Sequence, residues 1–99
     1  MALQIVWTEN GFADYKQVID YLLQEWPIKV ASEFVTNVES RIETLSAFPE
    51  IGITSLKEPG VRSIILTKHN KLYYKVAGNK LEILNIFDTR QNPIKNKYD

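Results

Sequence analysis

The chain has 99 residues, 12 Lys plus Arg against 12 Asp plus Glu, one His, no Cys and 44% hydrophobic residues, which together describe one soluble globular domain spanning 1–99. No stretch approaches the ~18 consecutive apolar residues of a membrane span, and Met1-Ala2-Leu3-Gln4-Ile5 lacks the basic segment and apolar run of a secretory signal, so a cytoplasmic location is the expectation. Without cysteine there is no disulfide, thiolate metal site or cysteine nucleophile, and surface scaling lets a chain of this length bury about 65% of its unfolded surface, enough for one modest core.

The zero net charge hides a division. Residues 1–56 carry three basic side chains (Lys16, Lys29, Arg41) against eight acidic ones, and residues 57–99 carry nine basic against four acidic, so the halves stand at minus five and plus five. Such a split is a hint that one half meets an acidic or nucleic-acid partner, although strands and tails also gather Lys for solubility and edge protection.

Leu3 to Trp7, apolar and β-branched, predicts a short first strand, ended by Thr8-Glu9-Asn10-Gly11. Phe12, Tyr15, Val18, Ile19, Leu22, Leu23 and Trp26 then recur at three- and four-residue spacing, the stripe of an amphipathic helix capped by Thr8 or Asn10. Pro27 cannot continue that helix but suits the first turn of another, whose stripe is Ala31, Phe34, Val35, Val38, Ile42, Leu45 and Phe48. Two long antiparallel helices result. Trp26 and Phe48, each just before a proline, are expected to plug the two ends of the pair against the sheet.

Pro49-Glu50-Ile51-Gly52 closes the second helix, and a loop from Ile53 to Gly60 leads to a region of period two. Val61 to Thr67, Lys71 to Val76 and Lys80 to Phe87 read as three strands separated by the turns Lys68-His69-Asn70 and Ala77-Gly78-Asn79, an antiparallel meander. In the middle strand Leu72, Tyr74 and Val76 share one face and Lys71, Tyr73 and Lys75 the other, so helices packed on the first face leave a basic face outward. The tail from Asp88 to Asp99, with Pro93, reads as loop. The expected class is α+β: a short strand, two helices and a three-stranded meander in one twisted sheet.

Few constellations for chemistry are present. A single His cannot form a metal cluster, Gly is too sparse for a phosphate-cradling loop, and no G-x-S-x-G elbow occurs, so no metal or cofactor is implied. His69 in a turn is a general-base candidate or a solvated residue, and Glu50 beside a helix end is a carboxylate base or a structural one. The basic and aromatic set Arg62, Lys71, Tyr73, Lys75, Arg90, Lys95, Lys97 and Tyr98 can hold phosphates, stack bases, or stabilise the pentavalent transition state of RNA cleavage if meander and tail fold together.

The order of these pieces resembles the RelE/ParE superfamily of type II toxins across essentially the whole chain. The residues that carry the resemblance are L-x-x-F-P-E-I-G (Leu45 to Gly52), V-R-x-I (Val61 to Ile64), H-N-K-L-Y-Y-K-V (His69 to Val76) and F-D-T-R-Q-N-P (Phe87 to Pro93). It implies a compact α+β toxin fold and a cognate antitoxin that wraps and neutralises the toxin, often within a plasmid-stabilisation system. RelE-like members cleave mRNA on the ribosome, whereas ParE-like members poison DNA gyrase without nuclease activity. Nuclease members place lysines inside the second strand of this region, where Ser63-Ile64-Ile65-Leu66 stands here. Lys71 matches a basic position where Arg is commoner, Arg90 matches the Arg after the last strand, and Tyr98 lies near, but offset from, a carboxy-terminal Tyr that some nucleases use. Were the protein a nuclease, Arg62, Lys71, Arg90 and Tyr98 would form its catalytic set. The apolar strand interior, the long helix pair and the neutral charge favour the ParE-like reading. An mRNA endonuclease and a non-toxic antitoxin-binding module are the alternatives.

Overall fold

The computed structural model describes residues 2–89 and Tyr98. In chain order the elements are β1 (Gln4–Trp7), α1 (Glu9–Glu25), α2 (Ile28–Ala47), a 3-10 turn (Pro49–Ile51), β2 (Ile53–Thr54), β3 (Val61–Thr67), β4 (Asn70–Ala77) and β5 (Lys80–Asp88). The α+β class and the two long helices stand as expected, but the sheet is larger and mixed. It has five strands in the order β1-β5-β4-β3-β2. β3, β4 and β5 form the meander, β1 runs parallel to β5 on one side, and two residues of the segment read as loop, Ile53 and Thr54, pair with Ser63 and Arg62 as β2. Both additions depend on contacts between distant parts of the chain, which local periodicity does not register.

Thr8 is the helix cap: its hydroxyl oxygen accepts from the Gly11 N–H at 3.0 Å and the same hydroxyl donates to the Ile83 carbonyl at 2.7 Å. Gly11 is required at this point, because a Cβ there would fall inside the van der Waals envelope of the Ile83 carbonyl. Gly78, at φ +62°, opens the two-residue β4–β5 turn, where a hairpin needs a positive φ.

The helices cover one face of the sheet. Phe34, Val38, Ile42 and Leu45 of α2 are buried against Leu66, Leu72, Tyr74, Leu81, Ile83 and Ile86, with Tyr15, Val18, Ile19 and Leu22 of α1 packed beside them. A bulge opposite Tyr73 and Tyr74 lets Ile83 and Ile86, three residues apart, both face the helices. Trp7 stacks on Tyr15 at 4.7 Å between centroids, and Tyr15 meets Phe34 at 6.0 Å, tying β1 to both helices.

Two expectations fail here. Trp26 is 54% exposed and Phe48 61% exposed, so neither plugs an end of the helix pair. Each is the residue that ends its helix: Trp26, preceding Pro27, is extended (φ −136°, ψ 160°), and Phe48, preceding Pro49, lies outside helical space (φ −134°, ψ 70°). The helical phase therefore stops one residue before each aromatic, as the restriction on residues before proline dictates. Lys71, Tyr73 and Lys75 share the outward face of the sheet as expected, but that face is not basic throughout. Tyr73, fully buried, centres a second small cluster with Val61 and Phe87, against which Leu84 and Tyr98 pack.

Candidate functional site

Of the four residues named for nuclease chemistry, the three described ones, Arg62, Lys71 and Tyr98, do not share one surface. Arg62 lies across β3 from Tyr74 and therefore on the helix-facing side. Its Nη1 donates to the Gly52 carbonyl at 2.9 Å and the Glu50 carbonyl at 3.1 Å. The guanidinium thus braces the 3-10 turn. Lys71 lies on the opposite face, across from Ile65 and Phe87, with its Nζ 5.9 Å from the centroid of the Tyr73 ring. Tyr98 joins Lys71 there: its ring lies 5.0 Å from that of Tyr73, and the Ser55 hydroxyl donates to its carbonyl. Burial, and secondarily the charge of Glu58, raises the Tyr98 phenol above its ordinary value. Arg90, with Lys95 and Lys97, falls outside the described residues.

The remaining described members of the basic and aromatic set, Tyr73 and Lys75, lie on the outer face with Lys71 and Tyr98. Lys75, on the outer face, pairs with the half-buried Glu82 at 3.8 Å. Ile64 packs against the core beneath the helices, and Ile65 stands 58% exposed beside Lys71. The outer face therefore offers cations separated by apolar side chains. Glu50 is exposed on the 3-10 turn, its backbone carbonyl held by Arg62. Among the described residues no three His, Asp or Glu side chains are grouped to hold a metal ion.

The Tyr74 hydroxyl completes the bracing of the turn, donating to the Pro49 carbonyl at 2.7 Å and accepting from the Gly52 N–H at 3.0 Å. Burial is the main cause that raises this phenol above its ordinary value, and the Gly52 hydrogen bond and Arg62 oppose it. The turn so fixed displays large apolar side chains to solvent: Phe48 at 61% exposure, Ile51 at 58%, Ile53 at 72% and Leu56 at 92%. These four exposed apolar side chains fall within nine positions of the chain, and Ile53, across from Ser63, is on the outer face of the sheet.

A second feature lies at the other end of α2, where the helices approach the β3–β4 turn and the end of β5. There an open groove of about 950 Å³ is walled by Val18, Tyr21 and Leu22 of α1, by Trp26 just past its end, and by Val30 and Phe34 of α2. Asp14, Glu33 and Asp88 stand around it, and His69, half-exposed, lies on its lining. Nearby strand edges are occupied by helix side chains. Asp14 accepts from the Ile86 N–H at 3.0 Å, and Asn37 donates to the Leu66 carbonyl at 2.8 Å while Arg41 donates to that of Ile65. Sequence reasoning missed the groove as a set of residues. Its signal was Trp26 at the Pro27 junction, an aromatic at the end of a helical stripe that the helix itself cannot bury.

Comparison with known proteins agrees with this fold. A family model described as the ParE toxin of the type II toxin-antitoxin system, parDE, matches residues 5–93. Toxin ParE3 of Caulobacter vibrioides is 31% identical over 90 residues, covering 90% of this chain and 89% of that protein. The chromosomal ParDE toxin-antitoxin system of P. aeruginosa contains a chain that superposes with a TM-score of 0.73 at 21% identity, covering 88% of this chain and 96% of that one. The YoeB dimer of Staphylococcus aureus follows at a TM-score of 0.63 and 19% identity, with coverage of 88% and 97%.

Proposed function

The chain belongs to the ParE toxin family of type II toxin–antitoxin systems, and from that premise we propose that it arrests growth by binding DNA gyrase and is neutralised by a cognate antitoxin. In this reading it acts by binding alone, in the cytoplasm where both partners reside. No helix among the described residues is long and apolar enough to cross a membrane. As the toxin of a plasmid-stabilisation pair, it would be harmless while its antitoxin is being replenished.

The observation that carries the reading is the separation of Arg62 from Lys71 by the thickness of the sheet. Stabilising a pentavalent phosphate needs converging positive charge. Arg62 is turned instead to the carbonyls of Glu50 and Gly52, and the apolar Ile65 occupies the space beside Lys71. The segment from Phe48 to Leu56 exposes four large apolar side chains, Phe48, Ile51, Ile53 and Leu56. A prearranged, solvent-facing apolar surface is what a protein target requires, and we assign the gyrase contact to it. The groove at the opposite end of α2 is the antitoxin's site, so one molecule has two separate protein-binding surfaces.

The nuclease alternative retains one supporting observation, the gathering of Lys71, Tyr73 and Tyr98 on one face. Two assays with the purified protein separate the readings. Inhibition of supercoiling with accumulation of cleaved DNA is expected from gyrase, and no cut is expected in ribosome-bound mRNA. Ribosome-dependent cleavage with supercoiling untouched would reverse the choice, and silence in both would leave the antitoxin-binding module.

A further inference from the structure

We propose that the small concavity between the 3-10 turn and the end of β4 is a docking point for a side-chain carboxylate, an Asp or Glu that a protein partner presents to the open edge of the Arg62 guanidinium. It goes beyond the gyrase and antitoxin readings and does not depend on either. Three observations support it: the hydrogen bonding of Arg62, the lining of the concavity, and the charge of this half of the chain.

Arg62 is half-buried and held from one side. A guanidinium carries five N–H donors in a planar fork. Nη1 donates to the Gly52 and Glu50 carbonyls, at 2.9 and 3.1 Å, which fixes the plane of the group. Carbonyls do not cancel its charge, and Arg62 forms no ion pair among the described residues. The Nε–H and the adjacent Nη2–H remain, and that edge accepts two carboxylate oxygens side-on. A fork already ordered by the turn loses little further freedom on binding.

The space that Arg62 lines measures about 210 Å³, equal to roughly seven waters at ~30 Å³ each and ample for a carboxylate with its methylene stem. Pro49, Tyr74 and Val76 give it apolar walls, and Val76, 45% exposed on the helix-facing side of β4, shows that the helices leave this end of the sheet uncovered. A Cβ at Gly60 would meet nothing within 4 Å, so the concavity is open there. Glu50 is also on the lining, and its charge and that of Arg62 act in opposite senses on the Tyr74 phenol. A neighbouring carboxylate repels a doubly charged phosphate more than a singly charged carboxylate, and the apolar walls suit a methylene stem, so the pair of features favours Asp or Glu. Residues 57–99, with nine basic and four acidic side chains, attract an acidic segment to this region.

The test titrates the full-length protein with propionate, phosphate and chloride at matched ionic strength and follows the arginine Nε–H resonances by heteronuclear NMR, with Arg41 as the internal control. Expected is a saturable shift at Arg62 with propionate, several-fold larger than that at Arg41. Glu50→Gln removes the opposing charge and should tighten propionate binding about threefold to tenfold. Val76→Glu tethers a carboxylate at the open end, and should move the Arg62 resonance with no probe present and suppress the response to propionate. Arg62→Lys keeps the charge without the fork and should lose the response; if thermal melts show that it does not fold, the wild-type titration and Val76→Glu decide. Equal shifts at Arg62 and Arg41 in all three salts would be ordinary screening and overturn the site. Tighter saturation by phosphate overturns the carboxylate assignment. A propionate response that survives Val76→Glu places the anion outside this concavity and overturns the proposal.

Discussion

The hydroxyl of Tyr74 and the backbone of Gly52 are locked together at a distance that admits no Cβ on residue 52. The Gly52 N–H donates to the Tyr74 oxygen at 3.0 Å, and a Cβ built at Gly52 would stand only 2.8 Å from two ring carbons of Tyr74. Tyr74 is fully buried and cannot step aside. The F-P-E-I-G sequence thus has a physical explanation: its last residue must be small so that a phenol from β4 can satisfy the turn from within.

Tyr74→Phe removes that hydroxyl and strands the Gly52 N–H and the Pro49 carbonyl, which is expected to cost about 1–3 kcal/mol. Gly52→Ala, which overpacks the same contact, is expected to cost about 1–3 kcal/mol or more. Urea unfolding of the two variants checks this, and a change below about 0.5 kcal/mol in both would show that the turn is held by something else.

The exposed aromatics invert the stability ranking that the helical stripes suggest. Trp26→Ala and Phe48→Ala are expected to lose less than about 1 kcal/mol, not the ~3–5 kcal/mol of a buried aromatic, whereas Leu45→Ala, fully buried in the same helix as the Phe48 junction, should lose about 2–5 kcal/mol. Denaturant melts of the three variants decide between the two rankings.

Tyr74, Tyr15 and Tyr98 each have a phenol raised above its ordinary value, chiefly by burial. A raised phenol keeps its proton in the folded state after the unfolded chain has released it at pH ~10. The unfolded state then binds fewer protons, so stability falls as pH rises. These three groups therefore leave stability unchanged below that pH and reduce it progressively above, through the folded-state values. Following phenolate absorbance during an alkaline titration should show a late-titrating component that shrinks in Tyr74→Phe. Simple titration of all five tyrosines together would contradict the assignment.

Ile53→Glu with Leu56→Glu tests the target surface. Both positions are open to solvent, 72% and 92% exposed, so the change is expected to leave stability within about 0.5 kcal/mol while abolishing inhibition of gyrase. Antitoxin binding at the groove should persist. Loss of both interactions together would mean that the two partners share one surface.

Lys71→Ala should have no effect on mRNA under the binding reading. If Lys71 instead stabilises a cleavage transition state, its removal would lower a measured cleavage rate by about 10²–10³. Kinetics on ribosome-bound mRNA would reveal that difference directly.

The helices were legible in the sequence because their signal is local. Ala31, Phe34, Val38, Ile42 and Leu45 repeat at the period of one helix face, and the structure buries all five. The meander was legible for the same reason, through period two and the turn at Gly78. Pairings such as Ile53 with Ser63, and β1 beside β5, were not legible, because a two-residue or four-residue strand carries too little pattern to name a partner far along the chain. The RelE/ParE resemblance lay in short motifs whose order the fold explains: F-P-E-I-G, the Arg of V-R-x-I and the second Tyr of Y-Y-K meet in one hydrogen-bonded knot.

By itself, the sequence determined the α+β class, the phase of the second helix and the charge difference between the halves of the chain, since each follows from composition or from repeats within one element; of the first helix's expected stripe, Phe12 and Leu23 are exposed. The tertiary structure alone decided that Arg62 and Lys71 lie on opposite faces, that Trp26 and Phe48 are exposed, and that the carboxylates of Asp14, Glu33 and Asp88 surround a common groove. Those outcomes depend on strand register, on the break in helical phase before each proline, and on how the helix hairpin lies across β5. Register and docking are set by the whole core at once, which is why the candidate site could not be assembled from the motifs one at a time.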